Sequence, residues 1–200
     1  MKTKAKYFYN DAKSYYLSAK ILMTSPEREK DGQLLLMPIL FLFRHALELL
    51  LKYHIIAFLT EHGQKDVQNY KLHNHKGAQQ KHKLLGTHSI KYLFSCFIYW
   101  NKISLCPKFD ENHIRFIKAQ IKHLCSLDIN SDYFRYPTSK NNKFHKRHYI
   151  TKIDEFDIAP EINSKMKVLI SDDNKTIFTT YSFDILYMQN ELSECIQLLL

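Results

Sequence analysis

The chain has 200 residues, 45% of them hydrophobic, which is the size and composition of one globular domain with a proper core. Its 29 lysines and arginines stand against 20 acidic residues, a formal net charge of +9 that draws phosphate-rich partners, nucleotide or nucleic acid. The longest apolar run, residues 34–43, is ten residues long and charges follow at once, so a membrane span is excluded and no membrane partner is expected.

Only four glycines and five prolines punctuate the chain, so long helical elements are favoured. Thirteen tyrosines and thirteen phenylalanines suit a helical core, and they also suit stacking on bases. The cysteines at 96, 106, 125 and 195 form no C-x-x-C pair, and no signal peptide precedes them. They read as reduced, mostly buried thiols of a cytoplasmic protein.

Ala5, Phe8, Ala12, Tyr15, Ala19 and Leu22 recur at steps of three and four, which predicts an amphipathic helix ending at Pro26. Residues 33–60 predict the central helix, beginning or kinking at Pro38 and apolar nearly all round. Its polar exceptions are Arg44, His45, Glu48 and Lys52, which share one arc of about 100°. Arg44 and Glu48 are four apart, as are Glu48 and Lys52, the spacing of intrahelical ion pairs.

Residues 61–87 show no periodicity and read as a basic loop. Its histidines at 62, 73, 75 and 82 lack cysteines or carboxylates at ligand spacing, so no metal is expected there. A third helix is predicted over 88–103, capped by Thr87, with Ile90, Leu93, Phe94, Phe97 and Ile98 on one face. A fourth spans 110–128, capped by Asp110, with Ile114, Ile117, Ile121 and Leu124 as its seam. Within an insertion at 141–181, β-branched and aromatic runs predict strands from 146 onward. Ser182 then caps a last helix with Ile185, Leu192, Ile196 and Leu199 toward the core. The expected fold is mainly α: an up-and-down bundle of four to five helices with a long basic loop and a small β-like insertion before the last helix.

Four pieces stand in order along the chain: "FRHALELLLK" (43–52), "LGTHSIKYL" (85–93), Asp128, and "FRYP" (134–137). In that combination the chain resembles the HEPN family (higher eukaryotes and prokaryotes nucleotide-binding), from about residue 7 to 200. The resemblance implies a helical bundle that forms a homodimer or higher oligomer with a basic cleft between protomers. It also implies RNA as partner, or a protein partner from a defence operon. Many members are metal-independent ribonucleases, without cofactor, of toxin–antitoxin, abortive-infection and other antiviral systems. Their activity rests on an Arg and a His in an R-x(4–6)-H motif. No arginine of this chain has a histidine at that distance; Arg115 and His123 come nearest.

The residues expected to carry ribonuclease chemistry are therefore Arg135 and His88, supported by Arg44 and His45. Either Arg135 offers its planar fork to a phosphate, or Asp128 or Glu48 pins it as a structural ion pair. Arg44, His45, Glu48 and Lys52 either line a cleft or form an internal ion-pair stripe. His88 is either a base or a packing residue at a helix start. Lys140, Lys143, Lys146, Arg147 and His148, with Tyr136 to stack, form a candidate phosphate track. The alternative to an enzyme is a non-catalytic module that binds a nucleotide, nucleic acid or partner and regulates or scaffolds a neighbouring effector.

Overall fold

A computed structural model describes residues 2–104, 107–127, 151–152, 165–171 and 177–200. Five helices dominate: α1 (Lys2–Thr24), α2 (Glu27–Glu61), α3 (Ile90–Ile103), α4 (Glu111–Leu127) and α5 (Ile185–Leu199). Two short strands, β1 (Lys71–His73) and β2 (Gln79–Lys83), pair antiparallel between α2 and α3. Three more, β3 (Thr151–Lys152), β4 (Lys165–Ser171) and β5 (Ile177–Asp184), form an antiparallel sheet in the order β3-β5-β4 before α5. The fold is mainly α with small β additions, as the hydrophobic periodicity predicts.

Helix α2 is the axis of the bundle and packs against α1, α3 and α5. Its side chains Phe43, Leu47, Leu50, Leu51, Ile55 and Phe58 are fully buried, so apolar character all round follows from having neighbours all round. Helix α1 turns Ala5, Ala12 and Ala19 inward with Tyr16. The alanines let the two backbones approach, and the Tyr16 hydroxyl meets Ser193 of α5 at 3.1 Å. In α4, Ile117, Ile121 and Leu124 face the core as their spacing predicts. Asp110 caps this helix, its Oδ1 accepting from the His113 N–H at 2.9 Å.

Three local expectations are corrected. Helix α2 does not begin at residue 33 or at Pro38 but continues back to Glu27, with Pro38 inside it. Proline costs a helix one N–H donor, and here the flanking turns hold the helix without it. Ser182 does not cap α5: it lies in β5, opposite Thr151 and Lys167, because a β-branched and aromatic run carries the strand on to Asp184. The third helix starts at Ile90, with Ser89 at the cap position, and the Thr87 hydroxyl accepts from the Ser89 N–H at 3.2 Å.

Within the basic loop, long-range packing makes order where the sequence has no period. Val67, Leu72 and Leu84 are buried, and the Leu84 N–H donates to the Tyr70 carbonyl at 2.9 Å. Trp100 Nε1 donates to the Tyr70 hydroxyl at 2.8 Å, fastening the hairpin to α3. At the hairpin turn, Asn74 Oδ1 accepts from the N–H groups of Lys76 and Ala78 at 2.9 and 3.0 Å. Gly77 takes φ +87°, and a Cβ there would lie 3.0 Å from a Tyr99 ring carbon. Among the described residues no helix is long and apolar enough to cross a membrane.

Candidate functional site

Arg44 and Glu48 of α2 reach the segment leading into α3. Helical spacing stacks Arg44, Glu48 and Lys52 one turn above another. All three are buried, at 2%, 1% and 3% exposure. A carboxylate so deep costs several kcal/mol to desolvate unless cations and hydrogen bonds surround it. Arg44 Nη1 donates to Glu48 Oε2 at 3.2 Å and Lys52 Nζ to Glu48 Oε1 at 2.9 Å. Burial pushes the Glu48 pKa up, but Lys52, Arg44 and His88 outweigh it and hold the carboxyl below its ordinary range. Glu48 is therefore an anion at neutral pH.

His88 reaches the same carboxylate from the other side. Its Nδ1 lies 2.9 Å from Glu48 Oε1, and Arg44 Nη2 donates to its backbone carbonyl at 2.7 Å. Arg44 thus holds Glu48 with one nitrogen and the His88 backbone with the other. An ionised carboxylate only accepts, so Nδ1 carries the hydrogen and the basic position of the ring is Nε2. The His88 side chain is 51% exposed, whereas the groups behind it are buried. A solvent-reaching imidazole backed by a buried carboxylate is an arrangement that takes and returns a proton.

His45 has a different environment. It lies edge-on to Tyr15 of α1 at 4.5 Å and stacks on Phe41 at 5.8 Å. Its Nδ1 is 3.9 Å from Glu48 Oε2. His45 packs α1 against α2 at the margin of the cluster.

Arg44, His45, Glu48, Lys52 and His88 are therefore brought together. Arg135, Asp128, Tyr136, Lys140, Lys143, Lys146, Arg147 and His148 lie outside the described residues. The ion pairs within α2 were legible from their four-residue spacing. The contacts of Glu48 with His88, and of Arg44 with the His88 carbonyl, join positions 40 and 44 apart and left no mark on local pattern.

Three of the loop histidines pack on aromatic rings. His62 lies edge-on to Trp100 at 4.9 Å, His73 stacks on Tyr99 at 5.2 Å, and His82 stacks on Tyr92 at 4.4 Å. Among the described residues no group of three or more His, Cys, Asp or Glu is placed to hold a metal ion. Cys96 and Cys195 are buried free thiols, raised by burial to about 11 and about 12, so neither is a nucleophile. Comparison with family models, curated proteins and solved structures finds no match to this chain.

Proposed function

We propose that this chain is an HEPN-like, RNA-directed protein of a bacterial defence or toxin-type system, working in the cytoplasm as a metal-independent endoribonuclease. The Glu48–His88 pair supports the reading: a buried anion orients a half-exposed imidazole. In the proposed reaction His88 Nε2 takes the proton of a ribose 2′-hydroxyl. The oxygen attacks the adjacent phosphorus, the bond to the 5′-oxygen breaks, and a proton returns to that leaving oxygen. The products are a 2′,3′-cyclic phosphate and a free 5′-hydroxyl. Glu48 stabilises the imidazolium that forms between the two transfers. Arg135 is the residue assigned to charge on the phosphorane. Arg44 is a positioning residue, since its terminal nitrogens are spent on Glu48 and on the His88 backbone. The test is incubation with mixed RNA in excess EDTA. Cleavage that is lost in His88→Ala and in Arg135→Ala, with the fold intact by circular dichroism, supports the enzyme.

The burial of Arg44 favours a second reading. An arginine 2% exposed within the "RHALE" stretch has little surface to offer a ligand. On this reading the cluster is a structural core, and the chain is a non-catalytic module that binds RNA or a partner beside a neighbouring effector. Salt-dependent retention of RNA without cleavage separates it from the first.

For the oligomer we propose a second copy of this chain against α1. Tyr7, Asn10, Ser14, Leu17, Ile21 and Thr24 are all exposed and follow one another at steps of three and four. Tyr7, Leu17 and Ile21 are 64%, 48% and 67% exposed. Such a stripe is the seam of a two-helix contact. The flanking positions Lys6 and Asp11 pair across a parallel dimer, whereas an antiparallel one sets lysine against lysine.

A further inference from the structure

From Val67 to Phe109 the chain contains seven lysines and no aspartate or glutamate. The β1–β2 hairpin concentrates them. Lys71 of β1 stands directly opposite Lys83 of β2, and Lys81 follows on the same face two residues away. Like charges directly opposite one another destabilise a strand pair. Lys83 is held by Asn69 Oδ1 at 2.9 Å, beside Asp66. Lys71, Lys76, Lys81 and Lys91 are exposed, and none has an ion-pair or hydrogen-bond partner among the described residues. The hairpin is nevertheless firmly seated on α3. His82 stacks on Tyr92, His73 stacks on Tyr99, and the His75 N–H donates to Ser95 Oγ at 2.9 Å. A seated platform that carries exposed lysines without ion-pair partners among the described residues is suited to meet a polyanion.

We infer that this hairpin is the docking surface for the phosphate backbone of single-stranded RNA. The half-exposed Tyr92–His82 stack at its edge offers a ring edge on which a base can rest. This inference rests on the reading of the protein as RNA-directed, and it adds a surface that the basic track at 140–148 does not include. The position suits that reading. β2 ends at Lys83, five residues before His88, a span of roughly 17 Å at most. Lys91, three residues after His88, lies in the first turn of α3. A strand of RNA lying along the hairpin is thereby led toward the Glu48–His88 pair. A membrane surface is the poorer match. The hairpin tip, Asn74, His75, Lys76 and Gly77, carries no large apolar side chain to enter lipid.

The test is fluorescence anisotropy of a labelled single-stranded RNA 20-mer, made uncleavable by 2′-O-methylation, over a salt series. The variant is Lys71→Gln/Lys76→Gln/Lys81→Gln, whose surface positions leave the melting temperature unchanged. Wild type is expected to bind with log affinity falling linearly in log salt. The triple variant is expected to lose about two units of that slope and at least about tenfold in affinity at low salt. Tyr92→Ala is expected to weaken binding at every salt concentration without changing the slope. If the triple variant binds RNA with the wild-type slope, the hairpin inference fails while the RNA reading stands. If wild type binds no RNA even at low salt, both fail. If wild type binds phosphatidylserine vesicles but not the RNA, and the triple variant loses that binding, the hairpin is a lipid surface and the inference is overturned.

Discussion

Glu48 and His88 are joined by a 2.9 Å hydrogen bond between the middle of α2 and the segment that opens α3. The carboxylate is 1% exposed and the imidazole is half exposed. Arg44 closes a second link over the same gap through the His88 carbonyl. Removing the anion therefore takes from two buried cations the carboxylate that both of them bind. Glu48→Gln is expected to destabilise the fold by about 3–5 kcal/mol, read from urea denaturation. A loss below about 1 kcal/mol would show that the cations relax to solvent and that the cluster does not brace α2 against α3.

Glu48 also makes the fold acid-sensitive. Its folded pKa lies below the ordinary 4.5. The stability it contributes is thus complete above about pH 4.5 and is lost as pH falls through the folded value. Chemical denaturation from pH 5 to pH 2 is expected to show this loss in wild type and a shallower one in Glu48→Gln.

His54 acts at higher pH. Burial pushes its pKa down to about 4, against a smaller upward effect from its bond to the Leu199 carbonyl, and Lys108 lowers it further. Nε2 lies 2.7 Å from that carbonyl, so the ring ties α2 to the end of α5. Between its ordinary 6.5 and about 4 the unfolded chain binds a proton that the native chain does not. Stability therefore falls as pH drops through that window, by about 3 kcal/mol in all. His54→Gln keeps a donor for Leu199 and removes the titration. Its denaturation midpoint is expected to change little from pH 6.5 to pH 4.5, and a slope equal to wild type would refute the assignment.

Gly77→Ala places a methyl 3.0 Å from the Tyr99 ring in a backbone conformation with positive φ. A cost of roughly 1–2 kcal/mol is expected, concentrated in the hairpin. Amide hydrogen exchange at Asn74 and Leu84 is expected to accelerate more than exchange in α2.

On α1, Leu17→Glu/Ile21→Glu changes two exposed side chains and no core contact. Sedimentation velocity is expected to show the proposed dimer in wild type and monomers in the variant, with the melt of the monomer unaltered. Dimers that persist would exclude this stripe as the interface.

The fold class was legible because helix periodicity is a local signal. Ile117, Ile121 and Leu124 face inward as their spacing of three and four requires. The start of α2 was not legible, because Pro38 lies inside the helix rather than at its first turn. Ser182 misled because cap residues also occur in strands, and the choice lies with the partner strands Thr151 and Lys167. The hairpin at 71–83 was invisible because its order comes from Trp100, Tyr99 and Ser95 of α3 rather than from its own pattern.

The same division runs through the candidate site. Spacing alone places Arg44, Glu48 and Lys52 in one stripe, since a helix brings residues four apart into contact whatever surrounds it. Tertiary packing buries the stripe, turns its carboxylate to His88 and sets Arg44 against the His88 carbonyl. Those outcomes depend on which surface α3 presents to α2. That is settled by packing between residues more than forty positions apart, which no local spacing encodes.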